Sequence, residues 1–150
     1  MTIRRIAAFL YAIITLAVVA FQIALAAGAP WGAFAMGGAF PGQFPPAMRI
    51  AAIIQAALLI GFALVVLART GIILPKWLRA SRWLAWVVVA FSALSLILNL
   101  ITPSAGERAI WAPVAFIMLI SSGVVAFTKP SVTSCLIAHS IKMLPNTACI

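Results

Sequence analysis

The sequence predicts an all-α polytopic membrane protein, a bundle of four transmembrane helices with a Gly/Pro/aromatic loop on its outer side. Hydrophobic residues fill 66% of the 150 positions and charged residues only 7%, whereas soluble domains are about a quarter charged. The mean hydropathy is +1.24. The few charges leave four apolar stretches, each close to the about 20 residues with which a helix crosses a hydrocarbon core of about 30 Å.

The four predicted spans are residues 6–27, 50–68, 83–101 and 109–127. The first could instead be a signal peptide, because it follows basic residues and contains Ala24-Leu25-Ala26, which fits a cleavage site. Its apolar run exceeds the about 7–15 residues of a secretory core, and three spans follow, so we expect an uncleaved helix. Residues 1–128 then form one transmembrane domain, and residues 129–150 form a cytoplasmic tail.

Proline, glycine and serine mark the helix boundaries. Pro46 predicts the start of the second helix, because a proline at the first helical position leaves no amide unsatisfied. Gly71 predicts a left-handed stop, and Pro75 predicts the start of the third helix. Ser104 and Glu107 have the spacing of a capping box, in which each side chain bonds to the backbone amide of the other residue.

The basic residues predict the orientation. Eight of the ten lie on one predicted side of the membrane, namely Arg4, Arg5, Arg69, Lys76, Arg79, Arg82, Lys129 and Lys142. The other side has only Arg49 and Arg108. By the positive-inside rule both termini are cytoplasmic, which in a bacterium places the chain in the inner (plasma) membrane. The basic residues form no stripe on a soluble surface, so we expect the lipid bilayer as partner and no nucleic acid.

Residues 28–46 are too rich in glycine and proline for a helix and carry no charge. An irregular backbone cannot face lipid, because its amides would stay unsatisfied. The loop is therefore expected at the outer interface or against the mouth of the bundle. Its four aromatic rings are Trp31, Phe34, Phe40 and Phe44. They form either a lid over the bundle or part of an ordinary interfacial loop.

A layer of polar side chains is expected near the outer face. Gln22, Gln55 and Asn99 should lie at similar depth, roughly 6–9 Å below the interface at 1.5 Å per residue. Ser92 and Ser95 share one helix face with Asn99, since the spacing is i, i+3, i+7.

Arg49, Glu107 and Arg108 would lie just above that layer. One interpretation is structural: Gln, Asn and Ser bond across helices, and Glu107 pairs with Arg49 or Arg108. The other is a small outward-facing ligand pocket, formed by these three residues with Gln22, Gln55 and Asn99, and covered by the lid.

Three segments together resemble a family of small, uncharacterised four-helix membrane proteins of bacteria. They are "GAPWGAFAMGG", "PGQFPPAMR" and "NLITPSAGERAIWAPVA", and the resemblance covers roughly Tyr11 to Phe127. The family has no established activity, so the resemblance implies topology and bacterial origin only. By that resemblance the motif positions are Trp31, Gly32, Gly38, Pro46, Arg49, Asn99, Pro103, Glu107, Arg108 and Pro113.

Catalysis is not expected. The single acidic residue cannot supply a carboxylate pair or a two-metal site. Cys135, His139 and Cys149 match no usual zinc spacing, so no metal and no cofactor are predicted. The favoured function is an accessory or interaction protein that associates with another membrane protein or with itself. The alternative, from a different class, is binding or transport of a small lipophilic molecule in the outer pocket.

Overall fold

A computed structural model of the chain describes residues 2–71, 73 and 78–128. They form four α-helices: α1 (Ile3–Ala27), α2 (Pro46–Arg69), α3 (Leu78–Ile101) and α4 (Ala105–Phe127). Two 3₁₀ turns, Gly32–Phe34 and Met36–Gly38, lie between α1 and α2, and the described residues contain no strand. Each helix provides a stretch long and apolar enough to cross a membrane. The predicted all-α, four-helix membrane fold is therefore confirmed.

The helix ends follow the local signals in the sequence. α2 begins at Pro46, as predicted. Beyond its last residue Gly71 has a left-handed φ of 72°, and its amide donates to the carbonyl of Ala68 at 3.0 Å. Pro75, the predicted start of the third helix, and Lys76 lie outside the described residues.

The capping box predicted before α4 forms only in part. The Ser104 hydroxyl accepts from the backbone amide of Glu107 at 3.2 Å, as predicted. The prediction that the Glu107 carboxylate would accept from the Ser104 amide was wrong. That carboxylate accepts from the Thr102 hydroxyl at 3.1 Å instead. Thr102 is buried just before the turn, and its hydroxyl supplies a side-chain donor beside the carboxylate.

The helices pack as an antiparallel ring. α1 packs extensively on α2 and α3 on α4, α1 also contacts α4, and the contact between α2 and α3 is the thinnest of the four. Fully buried side chains of the main core are Tyr11, Val66, Val88 and Val125. Ala8 on α1 is completely buried, and a small residue there lets helix backbones approach closely. Large apolar side chains such as Ile13 remain exposed on the outside of the helices, as expected for lipid contact.

The two ends of the bundle differ in composition. The loop end comprises residues 28–45 and 102–104, where the α1–α2 loop meets the α3–α4 turn. There the Ser104 hydroxyl donates to the carbonyl of Ala33 at 3.1 Å. The arginine end is the opposite one and contains Arg4, Arg69 and Arg82.

Candidate functional site

A cavity of about 570 Å³ lies inside the bundle and extends to the loop end. This volume falls within the roughly 300–1,000 Å³ typical of small-molecule sites. All four helices and the α1–α2 loop contribute to its walls. Most of the lining is apolar, with Val18, Leu59, Val114 and Met118 among the side chains around it. The cavity is therefore suited in size and polarity to an apolar molecule.

Tyr11 lines the cavity far from the loop and is only 1% exposed. Its hydroxyl interacts with the side chain of Ser92 on α3. Phe62 and Phe91, also in the lining, meet edge to face with ring centroids 4.9 Å apart. These rings join α2 to α3 where the contact between the two helices is otherwise thin.

The α1–α2 loop covers the cavity at the loop end and is held there by hydrogen bonds to α4. The Trp111 indole nitrogen donates to the carbonyl of Phe34 at 2.7 Å. Gly106 lies so close to Phe34 that a Cβ there would be 3.1 Å from the ring. The loop is thus fastened to the start of α4, with the Phe34 side chain in the cavity lining.

Gly32 makes the loop compact. A Cβ at Gly32 would lie 2.1 Å from the carbonyl oxygen of Phe40 and 2.8 Å from that of Gly42. The Gly32 amide donates to the Gly42 carbonyl at 3.0 Å. Only glycine permits this approach of two backbone segments.

The four rings predicted to form a lid divide into two pairs. Phe34 and Phe44 line the cavity. Trp31 does not line it and stacks instead on Phe21, with centroids 6.0 Å apart. Phe40 packs edge-on against Phe44 from outside the lining.

Four of the six predicted pocket residues line the cavity: Gln22, Gln55, Asn99 and Glu107. The Gln22 side chain is 8% exposed and makes no hydrogen bond within the described residues. The Asn99 amide donates to the Ser95 carbonyl of its own helix at 2.8 Å. Their ligand role stays a prediction, and the Gln22 amide, which has no partner among the described residues, is accessible in the cavity lining.

Arg49 and Arg108, the other two predicted pocket residues, do not line the cavity. The Nε of Arg49 donates to the carbonyl of Phe44 at 2.9 Å, so this side chain fastens the loop to α2. Arg108 donates to the carbonyl of Thr102 at 3.4 Å. The expected ion pair of Glu107 with either arginine is absent from the described part of the chain, since both guanidinium groups reach backbone carbonyls instead.

Among the described residues one bond of the expected kind joins two helices: Ser92, which shares the α3 face of Asn99, bonds to the Tyr11 hydroxyl of α1. Asn99 bonds within α3, and Gln22 has no partner. The side-chain bonds at the loop end connect the loop to helices rather than one helix to another. Ser92 therefore fits the structural interpretation, whereas Gln22 and Asn99 do not join helices in the described part of the chain.

The cavity is open sideways between α2 and α3. On α2, Ala51 and Gln55 line it and are exposed; on α3, Leu94 and Leu98 do the same. A side chain that is both exposed and in the lining marks an opening, and these face the outside of the bundle. By the same criterion the exposed lining residues Met36 and Pro103 open the cavity at the loop end as well.

Sequence reasoning missed Tyr11 and Trp111. Tyr11 is the only tyrosine of the chain and lies in an apolar span, where its hydroxyl needs a hydrogen-bond partner. That need was a signal that the sequence offered. Trp111 follows Glu107 by one helical turn, which places both on the same face of α4. Cys135, His139 and Cys149 lie outside the described residues.

Comparison with known proteins adds no relative: the chain matches no family model, no curated protein and no solved structure.

Proposed function

We propose that this protein binds a small lipophilic molecule with a polar end in the cavity at the loop end. The observation that carries the proposal is the Gln22 amide, which has no hydrogen-bond partner among the described residues and is accessible in an otherwise apolar cavity lining. A ligand with a hydrogen-bonding group would pair with this amide while its apolar body contacts the rest of the lining.

The lining supports this chemical class. Apolar side chains surround most of the cavity and would contact the body of the molecule. Gln22 and Gln55 offer both donors and acceptors to its polar end. Glu107 also lines the cavity but already accepts from Thr102, so it leaves less capacity for a second partner. A neutral or weakly polar end group fits this set best.

Access from the bilayer is part of the proposal. The opening between α2 and α3 faces the side of the bundle that lipid would cover. The loop is fastened over the end of the cavity by Trp111, Ser104 and Arg49. A lipophilic molecule would therefore have a route from the membrane between α2 and α3, in addition to the opening beside Met36 and Pro103 at the loop end.

We also propose the membrane and the orientation. The basic residues of the arginine end and the tail favour a bacterial inner membrane with both termini in the cytoplasm. The loop end would then face the periplasm, and the polar end of the bound molecule would lie near the outer leaflet.

A second function, an accessory role without catalysis, has its own support. Ala17 and Ala20 are exposed on α1, and small residues on a lipid-facing surface permit close helix packing. Such a surface would serve self-association or contact with another membrane protein.

Native mass spectrometry of the full-length protein, released gently from membranes, tests the proposed function. Ala51→Trp places a large ring at the mouth of the cavity, and Ala57→Trp is its control, an exposed alanine of the same helix outside the lining. We expect a bound molecule at one copy per chain in the wild type and in Ala57→Trp, and its loss in Ala51→Trp.

Two results would count against the binding proposal. One is bare protein in all three samples. The other is an adduct that Ala51→Trp and Ala57→Trp reduce equally. A second protein chain, found instead of a small molecule, would support the accessory role.

A further inference from the structure

The arginine end holds two buried guanidinium groups. Arg4 on α1 and Arg69 at the end of α2 are 6% and 7% exposed. Arg4 donates from a terminal nitrogen to the backbone carbonyl of Arg69 and so satisfies one carbonyl at the end of α2. The Nε atoms of both arginines are buried and have no hydrogen-bond partner.

No side-chain carboxylate of the chain is available to these groups. Glu107 is the only acidic residue of the 150. It lies in the first turn of α4 at the loop end, roughly 30 Å away at 1.5 Å per residue. Arg69 also experiences the positive charge of Arg82. The arginine end therefore concentrates positive charge without an acidic side chain to balance it.

An unpaired buried charge is far more costly than an exposed one. The carbonyl at the end of α2 carries only a partial negative charge and accepts from one nitrogen. It leaves the two Nε donors unused. An anion from outside the chain would neutralise the charge, and it would accept from these donors once the guanidinium groups turn toward the surface.

We propose that Arg4 and Arg69 together bind a phosphate group at the arginine end of the bundle. A guanidinium presents Nε and a terminal nitrogen as a planar fork that matches two phosphate oxygens. The site is separate from the cavity at the loop end and does not depend on the function proposed for it.

The phosphate could come from two sources, a phospholipid headgroup or free phosphate. Arg4 lies in the first turn of α1 and Arg69 in the last turn of α2, and both helices are candidate membrane spans. Their ends would thus lie at the level of the headgroups, where anionic lipids attract basic side chains.

The test uses the full-length protein in detergent with three additions: phosphatidylglycerol, phosphatidylcholine and inorganic phosphate. Native mass spectrometry measures lipid binding, and the unfolding temperature measures the effect of phosphate. Both lipids contain a phosphodiester, but the choline cation would be repelled by the guanidinium groups. We expect phosphatidylglycerol to bind at least about tenfold more tightly than phosphatidylcholine, because each basic side chain near an anionic lipid surface contributes about 1 kcal/mol.

Variants identify the residues. Arg4→Gln and Arg69→Gln should remove this preference, whereas Arg5→Gln, an exposed neighbour, should keep it. Stabilisation of the wild type by inorganic phosphate, without a preference between the lipids, would support the site and assign it to free phosphate. The proposal is overturned if the wild type shows neither effect, a result that does not depend on whether the variants fold. It is also overturned if Arg5→Gln acts as strongly as Arg4→Gln, because the effect would then be one of surface charge.

Discussion

At the loop end Arg49 and Arg108 donate to backbone carbonyls and keep contact with the surface, whereas at the arginine end Arg4 and Arg69 are buried. Both of these buried arginines keep an Nε without a partner. Arginine side chains thus fasten the loop at one end of the bundle and leave hydrogen-bond donors unused at the other.

The comparison separates polar groups that hold the structure from polar groups that are available. At the loop end, Trp111, Ser104 and Arg49 are engaged in fastening the loop. Gln22 is not engaged by any of the described residues. Polarity alone therefore does not mark a site; the candidate group is one that lines the cavity and has no partner within the protein.

The largest effect is expected from Gly32→Ala, which tests whether the loop end is a rigid structure. The new Cβ would lie 2.1 Å from the Phe40 carbonyl oxygen, so the loop would have to open. We expect the free energy of unfolding to fall by about 3 kcal/mol, measured by thermal unfolding in detergent. Gly61→Ala, where a Cβ meets no atom within 4 Å, is the control and should be neutral or slightly stabilising. Equal stability of the two variants would show that the loop is not packed as described.

Trp111→Phe should have the next largest effect, because it removes the hydrogen bond to Phe34 but keeps an aromatic ring. We expect a loss of about 1–2 kcal/mol and faster hydrogen exchange in residues 33–38. Trp86→Phe is the control, since Trp86 packs on Phe127 without a hydrogen bond among the described residues. Unchanged exchange in residues 33–38 would mean that the Trp111 bond does not hold the loop.

Arg49→Lys should cost about 1 kcal/mol, because lysine keeps the charge but cannot reproduce the Nε bond to Phe44. Arg108→Lys is the matched change at an exposed arginine with a longer bond of 3.4 Å. The free energy of unfolding of Arg108→Lys should stay within about 0.5 kcal/mol of the wild-type value. Unfolding in denaturant compares the two, and a larger loss for Arg108→Lys would reverse the assignment of roles.

Gln22→Leu should have the smallest effect on stability and the opposite sign. Replacing a cavity-lining amide that has no partner in the protein by an apolar side chain should leave the ligand-free protein unchanged or stabilise it by up to about 1 kcal/mol. Ser104→Ala, which removes a paired cap at the loop end, should instead cost about 1 kcal/mol. Unfolding temperatures of the ligand-free proteins decide the point. Clear destabilisation by Gln22→Leu would restore the view that Gln22 joins helices.

Much of the fold could be predicted because local chemistry determines it. Apolar length predicted the four helices, and Pro46, Gly71 and Ser104 predicted three of their boundaries. The position of Gln22 beside the cavity also followed from its depth in α1.

The roles of the arginines could not be predicted in the same way. Arg4 and Arg5 are adjacent and equally basic, yet only Arg4 is buried, because its direction depends on how α1 packs against α2. Arg49 was expected in the pocket because of its depth, but a carbonyl of the loop lies within its reach. Both outcomes depend on tertiary contacts that a single sequence does not contain.

The most direct test of the central claim is a crystal structure of the protein purified with its native lipids and grown in a lipidic mesophase. The account predicts continuous density for one molecule in the cavity, with a polar atom within hydrogen-bond distance of the Gln22 amide. A cavity filled by rearranged side chains, with Gln22 bonded to a neighbouring helix, would contradict it.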